Sequence, residues 1–307
     1  MIAQRRPNDL HELEVALLDR IGEGLGRKIG AAGGAEQREP GLDPQQLRNI
    51  FSAQVQSRVL DHTARWLRAH GHGYYTIGSA GHEGNAAIAA ALRPTDPALL
   101  HYRSGGFYCA RAQQVPGHDP AHDVLAGMLA LAEEPIAGGR HKVFGHHELA
   151  VIPQTSTIAS QVPRALGVAL AIARARRLGI PSPWPTDALA VCSFGDASAN
   201  HSTAQGAINA AAYAAHAGLA VPLLLVCEDN GLGISVPTPT GWIAAAFSGR
   251  QGLRYVAVDG SDPIAVHATV SEVAAEIRRT RRPVLLHVAT VRYLGHAGTD
   301  VESGYRS

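Results

Sequence analysis

Two short polar turns, each placed directly after an apolar run, carry the most chemical content in this sequence. Gly195-Asp196-Ala197 follows the run 189–194, and Glu228-Asp229-Asn230-Gly231 follows the run 223–227. In an open parallel sheet, ligands collect beyond the carboxyl ends of the strands, so two such ends bring oxygen donors to one site. The Asp196 carboxylate and the Asn230 amide oxygen suit Mg2+, whose remaining positions accept diphosphate oxygens and water. Taken singly, GD and DN are common turn dipeptides; their recurrence at consecutive strand ends is what favours a metal–diphosphate site. Tyr102-Arg103 adds a guanidinium whose planar fork offers paired donors to phosphate oxygens. The plainer alternative is a surface arginine packed over the tyrosine. His146-His147-Glu148 offers zinc-type ligands but lacks the HExxH spacing, and loop histidines more often cap turns or face solvent.

The elements that must hold these residues follow from apolar periodicity. Leu10, Leu13, Leu17, Leu18 and Ile21 predict a first helix, ended by the Gly/Ala stretch from Gly30 to Gly34. A second helix is predicted over Asp43–His70, with Asp43 as N-cap, Pro44 in the first turn, and Leu47, Ile50, Val55, Val59 and Trp66 as its apolar face. These two helices form an N-terminal extension, residues 1–70, ahead of an α/β domain over 71–307. A glycine-rich loop from Gly71 to Gly84 leads into an alanine-rich helix at Asn85–Leu92. The loop from Gly138 to Thr157 is dense in histidine and glycine, and loops of that length are usually functional lids or disordered segments. Beyond it, apolar runs at 189–194, 223–227, 253–258 and 284–288 alternate with helical patterns at 163–178, 203–217 and 264–279. That alternation predicts a mainly parallel sheet covered on both faces by helices.

Composition narrows the classes. The 307 residues are 46% hydrophobic and 17% charged with a net charge of +1, and no basic block is interleaved with aromatics, so nucleic acid is not an expected partner. No run of 18 apolar residues suggests a membrane span. Three cysteines without metal-ligand spacing, and no recognisable signal peptide, point to a reducing, cytoplasmic setting. No GxGxxG opens a helix after an early strand, which argues against a nucleotide-binding dehydrogenase.

The segment from Phe194 to Ser235 resembles the thiamine-diphosphate motif of the alpha subunits of the 2-oxo acid dehydrogenases, the pyruvate and branched-chain enzymes. Asn230-Gly231-Leu232-Gly233-Ile234-Ser235 matches the family ending N-G-x-x-I-S. The resemblance implies an α/β thiamine-diphosphate-binding fold in which Asp196, Asn230 and the Leu232 backbone ligate Mg2+, and Gly195 and Ala197 line the diphosphate. Ala197 stands for the third glycine of the motif, Asp229 for an asparagine, and Leu232 for a frequent tyrosine. Glu228 stands where the branched-chain enzymes carry an arginine directed at the diphosphate. An acidic group cannot play that part, so Glu228 must point elsewhere or pair with a base.

Three further stretches extend the resemblance. Tyr102-Arg103 matches the family pair that contacts the diphosphate. Ser156-Thr157-Ile158 matches the segment before a cofactor-facing helix, with Ile158 as the apolar wedge under the cofactor's bend and Ser156 near a structural potassium site of the branched-chain members. Residues 292–300 resemble the C-terminal active-site loop R-Y-H-G-H-S-x-S-D. There His296 falls on the histidine that meets diphosphate and substrate-derived groups, where an imidazole donates to an oxyanion or relays a proton. Ala297 replaces a regulatory phosphoserine, so phosphorylation at that position is not expected. His82 lies in a loop similar to the family's substrate-side loop, and His146 or His147 is expected to enter the catalytic centre.

The resemblance implies oxidative decarboxylation of a 2-oxo acid with acyl transfer to the lipoyl group of an E2 acyltransferase. The family's activating glutamate comes from a beta subunit, so a heterotetrameric α2β2 assembly with an interfacial site is expected. Acetoin dehydrogenase, another thiamine enzyme half or a catalytically silent scaffold share parts of the pattern. Family alpha subunits continue through a further helical region, so a sequence stopping at Ser307 reads as a fragment, a cleaved piece or a compact member.

Overall fold

A computed structural model describes residues 42–305 apart from 75, 135, 142 and 299. The first predicted helix and the Gly/Ala joint lie outside the described residues. Helix α1 spans Pro44–Ala69 and starts with a capping box: Asp43 accepts from the Gln45 and Gln46 N–H groups while the Gln46 side chain accepts from the Asp43 N–H. Its buried face is Ile50, Ala53, Ser57, Leu60, Asp61 and Ala64. Val55, Val59 and Trp66, expected on that face, are exposed together with Phe51. The helix therefore carries two stripes, and the sequence reading merged them. The buried one mixes the aliphatic Ile50 and Leu60 with the small or polar Ala53, Ser57, Asp61 and Ala64, which lie close against a loop and another helix.

The core is a five-stranded, wholly parallel sheet of β1 (Ala98–Leu99), β2 (Ala190–Gly195), β3 (Leu223–Asp229), β6 (Arg254–Asp259) and β7 (Val284–Ala289), in the order β1-β2-β3-β7-β6. A short hairpin, β4 (Leu232–Gly233) with β5 (Val236–Pro237), follows β3. Alternate residues serve opposite faces, as the pleat requires. Leu224 and Val226 join one hydrophobic cluster with α1, α2 (Ala86–Ala90), α3 (Gly105–Gln113) and α8 (Pro263–Thr280). Leu223, Leu225 and Cys227 join the other with α5 (Gln161–Leu178), α6 (Ser202–His216) and α7 (Trp242–Phe247). Helix α4 (Pro120–Met128), capped by Asp119, flanks α1 and α3.

Helices α3, α4 and α7 have no counterpart in the sequence reading. The pair Gly105-Gly106 opens α3, and a Cβ on Gly106 would lie 2.5 Å from the Glu83 carbonyl oxygen. The pair serves close packing rather than flexibility. The long loop 138–157 forms no helix or strand among the described residues, yet it is strapped to the sheet edge. Ala98 N–H donates to the Ala150 carbonyl, and Ile152 N–H donates to that of Ala98, both at 2.9 Å.

Candidate active site

Four neighbouring strands end at one place. Tyr102-Arg103 lies beyond β1, Asp196 directly beyond β2, Asn230 beyond β3 and the loop 290–300 beyond β7. The β2–β3 register pairs Gly195 with Glu228, which puts the Asp196 turn level with Asp229-Asn230. A cavity of about 250 Å³ opens between them. Of the residues singled out in the sequence, Tyr102, Arg103, Ile158, Gly195, Asp196, Ala197, Asn230, Leu232 and His296 all line it.

The cavity's polar groups are held by specific contacts. Asp196 is buried and its carboxylate accepts from the Thr238 hydroxyl. Burial raises its carboxyl above the ordinary range, opposed by Thr238 and reinforced by Asp229. No ion pair to Asp196 occurs among the described residues, so a buried carboxylate faces the cavity without a cationic side chain to offset it. A divalent cation is the complement that chemistry calls for. The Asn230 amide oxygen accepts the Leu232 N–H at 3.0 Å. Ala197 packs on Gly233, where an added Cβ would lie 2.6 Å from the Ala197 methyl. The extra carbon at 197 is thus accommodated by the absence of one at 233.

Arg103 is buried beneath the glycine-rich loop, donating through Nη1 to the Gly78 carbonyl at 2.8 Å and through Nη2 to His296 Nδ1 at 3.2 Å. A guanidinium always donates, so His296 Nδ1 accepts and its ring proton sits on Nε2. Burial, then Arg103, then Arg292 lower the His296 imidazole to about 4. The His296 loop is tied down on two sides. Arg292 donates to the Ile234 carbonyl at 2.8 Å and to the Tyr305 hydroxyl at 2.9 Å. Gly298 N–H donates to Thr76 Oγ1 at 2.9 Å, and Tyr293 N–H to the Ala80 carbonyl at 2.8 Å.

His146 and Ser156 stand outside the cavity lining. His146 meets the His118 ring edge-on at 4.6 Å, in a cluster with Glu148 rather than with His147. Ser156 Oγ lies 3.0 Å from His141 Nε2. His101, Ser198 and His201, which the motifs do not single out, also line the cavity, as does Ile234 of the N-G-x-x-I-S ending. His101 stood directly before the Tyr102-Arg103 pair, and that adjacency was the available signal. Glu228 is buried and does pair with a base: His82 Nδ1 lies 2.7 Å from its Oε2. A smaller space of about 40 Å³, bounded by Asp61, Tyr102 and Tyr108, lies under the glycine-rich loop and is lined by no arginine or histidine.

A sequence profile of the dehydrogenase E1 component family matches residues 52–307. The chain is 27% identical over 277 residues to the mitochondrial 2-oxoisovalerate dehydrogenase subunit alpha of Caenorhabditis elegans, covering 89% of this chain and 60% of that protein. It is 28% identical over 274 residues to 2-oxoisovalerate dehydrogenase subunit alpha of Bacillus subtilis (strain 168), covering 87% and 77% respectively. Against the mitochondrial subunit alpha 2 of Arabidopsis thaliana the identity is 28% over 264 residues, 84% of this chain and 52% of that protein. The chain thus spans little more than half of the nematode and plant relatives.

Proposed function

From the dehydrogenase E1 component family, to which this chain belongs, we propose an alpha subunit that holds the diphosphate half of thiamine diphosphate in a 2-oxo acid dehydrogenase. The observation that carries this reading is the convergence of Arg103, Asp196, Asn230 and His296 on one cavity. Asp196 and Asn230, with the Leu232 backbone, would hold Mg2+; Arg103 and Tyr102 would face the diphosphate. When bound, the cofactor supplies the nucleophilic carbon and the electron sink for decarboxylation. His296, neutral and protonated on Nε2, is a donor for an oxygen that gains charge during reaction. Gly195 and Ala197 keep the floor low enough for diphosphate to approach the backbone, and Ile158 contributes an apolar wall.

The proposal includes a beta-type partner that supplies the activating glutamate, an α2β2 assembly and acyl transfer to a lipoylated E2 component. The names of the relatives make 2-oxoisovalerate the first substrate to test. A structural potassium, expected near Ser156, would sit outside the cavity, where the Ser156 hydroxyl lies 3.0 Å from His141 Nε2. The test is calorimetric titration of thiamine diphosphate and Mg2+ into the chain with its co-purified beta-type partner. Saturable binding that needs the metal and is abolished by Asp196→Ala is expected. Absence of binding in the assembled complex would overturn the reading in favour of a silent scaffold.

A further inference from the structure

Glu228 stands where the resemblance has an arginine, and its surroundings tie it to the cavity by another route. Its carboxylate is buried, and two donors reach it: His82 Nδ1 at 2.7 Å and Asn85 Nδ2 at 3.2 Å from Oε2. The other nitrogen of the same imidazole, Nε2, lies 2.8 Å from Nδ2 of Asn230. A continuous chain therefore runs from Glu228 through His82 to the amide of Asn230.

The direction of every hydrogen in that chain is fixed from its ends. Leu232 N–H can only donate, so the Asn230 atom 3.0 Å from it is the amide oxygen, and the amide nitrogen faces His82. An amide nitrogen also donates, so His82 Nε2 is the acceptor. The ring proton then sits on Nδ1, which needs an acceptor, and Glu228 is that acceptor. The far end is pinned in the same manner. Asn85 Oδ1 accepts the Phe107 N–H at 2.7 Å, so its Nδ2 turns to the Arg103 carbonyl at 3.1 Å and to Glu228. A flip of the Asn230 amide would set two donors against each other at Leu232.

We infer that Glu228 and His82 are positioning residues that hold the Asn230 amide with its oxygen presented for Mg2+. The inference rests on the reading of Asn230 as a metal ligand given above. Groups behind metal ligands commonly act in this way, and their loss costs roughly ten- to a hundredfold in metal affinity. A rival reading exists in the same atoms. His82, His101 and Glu228 are buried with ligand atoms all within 4.8 Å of one another, a spacing open to a transition metal. Against it, both His82 nitrogens already have hydrogen-bond partners, and His101 Nδ1 lies 3.2 Å from Ser104 Oγ.

The experiment titrates Mg2+ at saturating thiamine diphosphate into the complex with the beta-type partner. Glu228→Leu removes the acceptor and frees His82 to turn its proton toward Asn230; Mg2+ affinity should fall roughly tenfold. His82→Phe should fall equally, and the double variant no further. His82→Gln should bind Mg2+ within about twofold of the parent, because one amide can accept from Asn230 and donate to Glu228 as the imidazole does. In an Asn230→Ala background, Glu228→Leu should cost nothing more. If Glu228→Leu fails to fold, the His82→Phe and His82→Gln pair decides alone. Parent-like Mg2+ affinity in Glu228→Leu and His82→Phe, or full additivity with Asn230→Ala, would overturn the relay. So would stoichiometric zinc in the purified complex that is lost in His101→Gln. Asp196→Ala separates the two levels: if it binds Mg2+ and cofactor normally, the proposed function fails, whereas if only the Glu228 and His82 variants bind normally, the relay alone fails.

Discussion

At the level of single residues, two carboxylates stand where the family pattern has other side chains, and each is met by a histidine. Glu228 has His82; Asp229 has His287, whose Nε2 lies 2.9 Å away and whose Nδ1 lies 2.6 Å from the Tyr255 hydroxyl. His287 holds the Asp229 carboxyl below the usual range. The need for a base beside Glu228 was legible in the sequence, because a lone buried carboxylate is costly. Which base was not legible, since His82 lies 146 positions away and only the sheet brings the two together. Two predictions belong at this scale. Arg103→Met removes a positive charge beside His296, so the imidazole should rise from about 4 toward its ordinary value, followed by NMR titration. His101 is buried and its imidazole is lowered to about 3. The unfolded chain binds that proton below about 6.5 while the folded chain does not. Stability from this group is therefore present above pH 6.5 and is lost progressively as pH falls from there toward 3. Asp61, raised to about 6 by burial, works in the opposite direction, so the measurement must be a difference. In denaturant titrations, the stability gap between the parent and His101→Gln should narrow by up to ~1.4 kcal/mol per pH unit across that window.

At the level of elements, the buried strands were readable because continuous apolar runs bounded by turns permit little else. Helix α1 was readable in extent from Asp43 and Pro44, and Leu47 and Ile50 of its predicted face do turn inward, but the rest of the buried side was not readable, because Ser57 and Asp61 do not look like core. They are there to hold the glycine-rich loop. Asp61 accepts the Ser79 N–H at 3.1 Å and the Ala80 N–H at 2.9 Å, and Ser57 Oγ lies 2.7 Å from Ser79 Oγ. Arg103 donates to Gly78 in the same loop, so α1 supports the cavity at one remove. Asp61→Ala strands two buried donors and should cost about 2–5 kcal/mol in chemical unfolding. Asp61→Asn, which keeps an acceptor, should cost distinctly less. The turn after β3 stores strain of its own: Ile234, half-exposed at the cavity, has φ of 61°, a region β-branched residues avoid. Ile234→Gly should raise unfolding stability by roughly 1 kcal/mol while weakening cofactor retention.

At the level of the whole molecule, the site is a consequence of strand order. Four motifs spread over some 200 residues meet because β1, β2, β3 and β7 are consecutive neighbours with their carboxyl ends aligned. The motifs were legible one by one. Their adjacency was not, because no local pattern encodes that β7 lies beside β3 while β6 takes the far edge. One prediction follows for the assembly. Mg2+ and thiamine diphosphate at a hundred times their dissociation constant should add about 2.7 kcal/mol of stability. Hydrogen exchange should slow together in residues 76–81, 196–201, 230–238 and 290–300, and protection confined to one of those loops would contradict a shared site. The strap formed by Ala150–Ile152 along β1 has a separate bearing on assembly. An open strand beside the cavity would be a template for any extended peptide, including another copy of the same strand. Here the template is already taken by the chain's own backbone. A partner approaching that edge is recognised by the side chains of a folded surface and not by lengthening the sheet.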